Sequence, residues 1–162
     1  GAGCLWSCCS FLMSDFIIRP ASAADEDAWH PLWKGYIKFY GAEISDEITK
    51  ATWARLLDPS EPMNCLIAED RELGVIGIEH YILHASTWTK APVCYLQDLF
   101  VAEKARNLGA GRALIETLSQ KATEENWYRV YWLTDRDNTT ARKLYDKVTT
   151  VTNWVRYDIS TT

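Results

Sequence analysis

The stretch that most constrains this chain is Leu99-Phe100-Val101-Ala102-Glu103-Lys104-Ala105-Arg106-Asn107-Leu108-Gly109-Ala110-Gly111-Arg112. An apolar, strand-like run enters a basic loop, and the loop opens a helix at two closely spaced glycines. The first turn of a helix presents unpaired N–H groups and a partial positive charge. Missing side chains at Gly109 and Gly111 let an anion approach those groups, and Arg106 and Arg112 add charge on either side. The pattern reads as a cradle for a diphosphate. Glycines kept only for helix packing are the plainer alternative. Two familiar phosphate loops do not fit. A P-loop closes with Gly-Lys-Ser/Thr, whereas this loop closes Gly111-Arg112-Ala113. A dinucleotide fingerprint needs a third glycine where Leu114 stands.

The flanking sequence supplies a sheet for such a unit. Residues 16–19 read as a strand ended by Pro20, and Ser22 with Asp25 forms a capping box for a helix to about residue 40. Ser45 caps a second helix over 46–57. Strands are expected over 63–68, 73–84 and 93–101, with a loop over 86–92 before the last of these. A helix runs from Gly109 to about residue 126, and a strand follows over 128–133. Asn138 caps a helix to about residue 148, and a last strand spans 154–159. This order predicts an α/β fold, one mixed central sheet flanked by helices. No repeat or linker divides residues 15–162, which form a single domain. Residues 1–14 read as an added or disordered extension, with a natural start at Met13-Ser14-Asp15.

Composition narrows the function classes. The 162 residues are 48% hydrophobic and 24% charged, enough apolar material for a sizeable core. The net charge of −5 gives no global basic field to hold nucleic acid. No apolar run approaches the roughly 20 residues that span a bilayer. Three of the five cysteines, Cys4, Cys8 and Cys9, crowd the first residues, and the spacing fits no zinc pattern. Cys65 and Cys94 lie in apolar runs and read as buried, reduced thiols of a cytoplasmic protein. His80 and His84 point to one face of a strand, but about 13 Å apart, too far for one metal. No metal is expected.

The spacing Arg106-x-x-Gly109-x-Gly111 resembles the Arg/Gln-x-x-Gly-x-Gly/Ala signature of the GNAT superfamily of acetyl-CoA-dependent N-acetyltransferases. Two flanking segments agree. Tyr95-Leu96-Gln97-Asp98-Leu99-Phe100-Val101 is similar to the family's strand that pairs with the pantetheine arm. The run from Tyr131 to Tyr145 carries the Asn-x-x-Ala-x-x-x-Tyr pattern as Asn138, Ala141 and Tyr145. The resemblance covers essentially residues 16–159, with two departures: Thr152-Asn153-Trp154 stands where the family often has Gly-Phe, and Gln97-Asp98 stands where many members have a more acidic pair.

The resemblance implies acetyl-CoA as co-substrate. It would be held by Leu99, Phe100 and Val101, by the loop Arg106, Asn107, Leu108, Gly109, Ala110, Gly111 and Arg112, and by Asn138. A backbone N–H in 99–101 would face the developing oxyanion, and Tyr145 would protonate the departing thiolate. The attacking amine must lose a proton, for which Glu79, His80 and Asp98 are candidates. Asp98 is open to three roles: base, substrate anchor or structural group. Trp29, Trp33, Tyr36 and Tyr40 recur on one face of the first helix. That stripe is either core or an acceptor wall. On the second reading Trp33, Tyr36, Tyr40 and Asp98 contact a cationic acceptor, with Glu43 a further charge partner.

The expectation is therefore an N-acetyltransferase acting on a primary amine of a small molecule such as a polyamine or amino acid. A protein-lysine or histone-type acetyltransferase and a non-catalytic acyl-CoA-binding module are the alternatives. No nucleic-acid or membrane partner is expected. The aromatic 154–157 segment makes a homodimer the expected assembly.

Overall fold

The computed structural model describes residues 11–13 and 16–162. The extension expected over residues 1–14 lies outside the described residues except for Phe11–Met13, and Cys4, Cys8 and Cys9 lie outside them altogether.

Alternating apolar residues build one sheet whose strands lie side by side in chain order. They are β1 (Phe11–Met13), β2 (Phe16–Pro20), β3 (Met63–Asp70), β4 (Gly74–Ser86), β5 (Thr89–Val101) and β6 (Val130–Tyr131). Neighbours from β1 to β5 are antiparallel, whereas β6 runs parallel to β5 and meets it only at Cys94↔Val130 and Tyr95↔Tyr131. Adjacent residues face opposite sides of a strand, and each side has its own core. On one side α1 (Glu26–Phe39) and α2 (Asp46–Leu57) pack Trp29, Leu32, Trp33 and Trp53 onto Ile67 and Ile78. On the other, α3 (Ala110–Glu124) packs Leu114, Ile115 and Leu118 onto Ile18, Leu66 and Leu96. Leu144 and Tyr145 of α4 (Thr139–Val148) join this second core at its margin.

The capping box expected at Ser22 is present, with a guanidinium added. The Ser22 N–H donates to Asp25 Oδ2 at 2.8 Å, and Arg19 grips both Asp25 oxygens at 2.8 Å each. Arg19 Nε also donates to Glu69 at 3.0 Å. This bidentate pairing holds the Asp25 carboxyl below its usual range and fixes where the chain leaves β2 for α1. Ser45 caps α2 by accepting from the Ile48 N–H at 3.2 Å.

Three expected elements differ. The loop over 86–92 is a tight turn at Thr87-Trp88, and β5 starts at Thr89 rather than 93. The register slips between His84 and Ser86, and that irregularity accommodates Pro92, which has no N–H to pair. The strand over 128–133 shrinks to Val130–Tyr131 because β6 parts from β5 there. No strand forms over 154–159: Trp154 is 87% exposed, Tyr157 91% and Ile159 92%. That segment alternates like a strand, but a two-residue β6 gives it little edge to join within the chain.

Candidate active site

The parting of β5 and β6 creates the first half of the site. The Ala102 N–H donates to the Ile76 carbonyl of β4 at 2.7 Å. Backbone groups alternate sides along an antiparallel strand. Phe100 therefore also turns toward β4, while Leu99 and Val101 turn their N–H and C=O to the edge that β6 has left. That edge suits an extended ligand adding as a further strand.

A short 3-10 turn over Glu103–Ala105 returns the chain to this edge and into α3. Gly109 caps α3 in the left-handed region, at φ 91°, with Asn107 also left-handed at 67°. The space around a Cβ at Gly109 is open, so it is the backbone conformation that calls for glycine. The first helical bond runs from the Ala113 N–H to the Gly109 carbonyl at 3.0 Å. The N–H groups of Ala110, Gly111 and Arg112 thus lie outside the intrahelical ladder. No acidic residue occupies this first turn, whereas α1 carries Glu26 and Asp27 and α2 carries Asp46 and Glu47. An uncapped helix start, free of carboxylates and open at Gly109, fits the diphosphate of an acyl-CoA.

The two glycines have different reasons to be there. A Cβ at Gly111 would stand 3.3 Å from Leu144 Cδ2, so this glycine lets α3 approach α4. The arginines also differ from simple flanking charges. Arg112 Nε holds Glu116 at 2.7 Å. Arg106 folds back over the Phe100 ring at 5.6 Å and reaches the Val101 carbonyl at 3.4 Å. Leu108 remains exposed beside them.

On α4, Asn138 Oδ1 accepts from the Ala141 N–H at 3.2 Å, an N-cap as expected. Tyr145 lies edge-on to Trp132 with ring centroids 5.4 Å apart. Burial pushes its phenol up to about 12, with Tyr40 and then Glu79 adding to the shift. The Tyr145 proton is therefore firmly held at neutral pH.

The aromatic stripe of α1 runs from the core at Trp29 out to the surface at Tyr40. Its rings follow one another at 5.8 Å (Trp29 to Trp33), 5.8 Å (Trp33 to Tyr36) and 4.9 Å (Tyr36 to Tyr40). Trp29 is 1% exposed and Trp33 6%, both core, whereas Tyr36 is half-buried and Tyr40 is 56% exposed. Gly35 brings the stripe onto β5, since a Cβ there would stand 2.9 Å from the Phe100 ring. Between the α1–α2 layer and the sheet lies a cavity of about 170 Å³ lined by Trp33, Ile44, Leu56, Met63, His80 and Asp98, among others. Asp98 is the only carboxylate in that lining. An open cleft of about 750 Å³ shares Ile44 and is lined by Lys34, Lys38 and Glu43 as well.

Asp98 reaches the cavity because of a bulge. The register passes from Tyr81↔Leu96 to His80↔Asp98, leaving Gln97 as the extra residue. A one-residue slip reverses every following side chain. Without it Asp98 would share the α3 face with Leu96. With it, Asp98 joins His80. His80 Nδ1 and Asp98 Oδ2 are 2.9 Å apart, and the Trp29 Nε1–H donates to His80 Nε2 at 2.9 Å. The Tyr36 phenol lies near both Asp98 and Tyr40, and burial with the Asp98 charge pushes it far above its ordinary value.

The other base candidates are differently placed. Glu79 faces the α3 side, fully enclosed, with neither carboxyl oxygen bonded to a partner. Burial pushes it well above the usual carboxylate range and so favours its neutral form. His84 lies at the far end of β4, where Nε2 and the Tyr131 hydroxyl are 3.0 Å apart. Among the described residues no group of three or more His, Cys, Asp or Glu could hold a metal ion. The sequence reading missed the partnership of His80 with Asp98 and the role of the bulge at Gln97. Only the register reveals either.

β5 thus offers an open backbone edge where β6 parts from it and a small cavity at Asp98 on its α1–α2 face. The profile described as "Acetyltransferase (GNAT) family" matches residues 26–149. The chain belongs to the GNAT acetyltransferase family. It is an acetyl-CoA-dependent N-acetyltransferase. A relative of this GNAT protein is the D-amino-acid N-acetyltransferase HPA3 of Saccharomyces cerevisiae, 39% identical over 142 residues, 87% of this chain and 88% of that one. An uncharacterized N-acetyltransferase of Bacillus subtilis, YhfO, is 28% identical over 130 residues, 80% of this chain and 86% of that one. A crystal structure of a probable acetyltransferase superposes with a TM-score of 0.79 at 24% identity, covering 90% of this chain and 97% of the other. That likeness shows the α/β GNAT fold. No helix among the described residues is long and apolar enough to cross a membrane.

Proposed function

We propose that this GNAT protein transfers the acetyl group of acetyl-CoA to the primary amine of a small molecule, a polyamine, an amino acid or a similar compound. The observation that carries the reading is the Asp98 carboxylate, the only one lining a cavity of about 170 Å³ between aromatic α1 and the sheet. A cavity of that size suits a small acceptor, and a carboxylate among aromatic rings suits an ammonium group. The relative that acts on D-amino acids supports a small amino-bearing acceptor.

Acetyl-CoA supplies an activated thioester. The chain's residues do the rest. Leu99, Phe100 and Val101 offer the open edge and a backbone donor for the oxyanion. Arg106 to Arg112 and Asn138 receive the coenzyme's phosphate end. Asp98 anchors the ammonium and takes its proton, with Trp33, Tyr36 and Tyr40 around it. The freed amine forms the new C–N bond, the C–S bond breaks, and Tyr145 faces the departing sulfur. The protein works as a cytoplasmic enzyme, in keeping with the two free, buried thiols Cys65 and Cys94. It is a homodimer with no nucleic-acid or membrane partner, and the unburied apolar residues after α4 supply the adhesive surface.

A thiol-release assay on a panel of polyamines, D- and L-amino acids, aminoglycosides and lysine peptides tests the reading. Turnover of small amines well above that of peptides is expected. Turnover of peptides alone would replace it with a protein acetyltransferase. Coenzyme binding without thiol release on any acceptor would replace it with a binding module.

A further inference from the structure

We propose that His80 is a positioning residue that aims the Asp98 carboxylate at the acceptor amine, itself locked in a single tautomer by the Trp29 indole. The proposal rests on the reading that Asp98 receives the acceptor.

An indole N–H can only donate. At 2.9 Å from His80 Nε2, it requires a lone pair there. The ring proton of His80 is therefore on Nδ1, from which it donates to Asp98 Oδ2 at 2.9 Å. A proton on Nε2 would point two N–H groups at each other. While that bond stands, His80 cannot take a proton from the amine. It is a fixed donor and not a base.

The ring has little freedom to leave this pose. Its side chain is 4% exposed, and the ring lies 5.3 Å from the Trp33 ring and 6.0 Å from that of Trp29. Asp98 is thus gripped at Oδ2 by a group that cannot move and approached by the Tyr36 hydroxyl. A carboxylate anchored at one oxygen presents its other lone pairs in a set direction, which is what preorganised binding of an ammonium needs. The arrangement parallels the orienting partners that sit behind functional histidines and carboxylates elsewhere. Here the order is indole, imidazole, carboxylate, running from the core to the cavity.

Two isosteric variants separate positioning from mere core packing. In His80→Asn the amide NH₂ falls near the place of Nδ1, so the donor to Asp98 survives and the acceptor for Trp29 is lost. In His80→Gln the amide falls near Nε2, so Trp29 keeps its acceptor and Asp98 loses its donor. Positioning predicts that His80→Gln raises the amine KM by about tenfold with the acetyl-CoA KM unchanged, and that His80→Asn stays within about twofold of wild type. The reverse pattern, or two variants both like wild type, would overturn the proposal. Asp98→Asn is run alongside. An unchanged amine KM in that variant would defeat the acceptor reading itself, whereas a raised KM there with a normal His80→Gln defeats only the role of His80. If neither variant folds, the wild type decides: ¹⁵N-detected imidazole spectra should show His80 protonated at Nδ1 and bare at Nε2. A protonated Nε2 would overturn the lock.

Discussion

Tyr145 holds its proton too tightly to be a strong acid. A phenol pushed to about 12 is a weaker acid than a thiol near 8.5, so full transfer to the sulfur is uphill. On the proposed reading its contribution would be a hydrogen bond that strengthens as charge grows on the leaving atom. Tyr145→Phe keeps the ring on Trp132, and steady-state kinetics should show kcat lower by about 10–100-fold with acetyl-CoA affinity nearly unchanged. The same phenol should impose no alkaline limb on kcat below about pH 10. Glu79 makes the opposite kind of prediction. Below about pH 4.3 its carboxyl is protonated whether the chain is folded or not. Above that the unfolded chain ionises while the buried group does not, so the native state loses ground by about 1.4 kcal/mol per pH unit until the raised native value is passed. Glu79→Gln should therefore gain stability over wild type as pH rises from 5 to 7, measured by urea unfolding. A pH-independent difference would mean that Glu79 is ionised in the fold. Neither environment was legible in the sequence. Glu79 and Asp98 are both acids inside apolar strands, and only their facing directions, set by strand phase and the bulge at Gln97, make one a sealed, unpartnered acid and the other a cavity carboxylate.

At the level of elements, what depends on neighbours in the chain was readable and what depends on distant partners was not. The starts of α2, α3 and α4 follow from Ser45, Gly109 and Asn138, each acting within one turn. The true start of β5, the brevity of β6 and the missing strand after α4 depend on which edge meets which. The glycine pair shows the same limit. A spacing pattern treats Gly109 and Gly111 alike, yet one is required by its φ of 91° and the other by Leu144 at 3.3 Å. Gly109→Val strains that turn and crowds its open side, and calorimetry should show coenzyme A binding weakened by at least about tenfold, about 1.4 kcal/mol. Gly111→Ala should instead register as lost stability through the α3–α4 contact. Equal coenzyme affinity in folded Gly109→Val would remove the turn from the binding site.

Across the whole molecule, the sheet serves as a partition. The small cavity at Asp98 opens on the α1–α2 side, Tyr145 packs at the margin of the α3-side core, and the proposed coenzyme edge of β5 lies where β6 parts from it. An assembly is expected from the residues after α4, where Trp154, Tyr157 and Ile159 stand almost fully out of the fold. Light scattering should give a particle of twice the 18.5 kDa chain mass. A monomer at micromolar concentration would dispose of the dimer.

The free edge at Leu99 and Val101 also bears on how the protein should be handled. A strand in mid-sheet with unpaired amides is sticky toward any other extended chain. Emptied of coenzyme, the enzyme would carry that stickiness through purification and storage. Ligand at a hundred times its dissociation constant stabilises a folded state by about 2.7 kcal/mol, and here it would also cover the exposed edge. Preparations kept with coenzyme A should stay monodisperse for longer than stripped ones, so the co-substrate would act as the enzyme's own preservative.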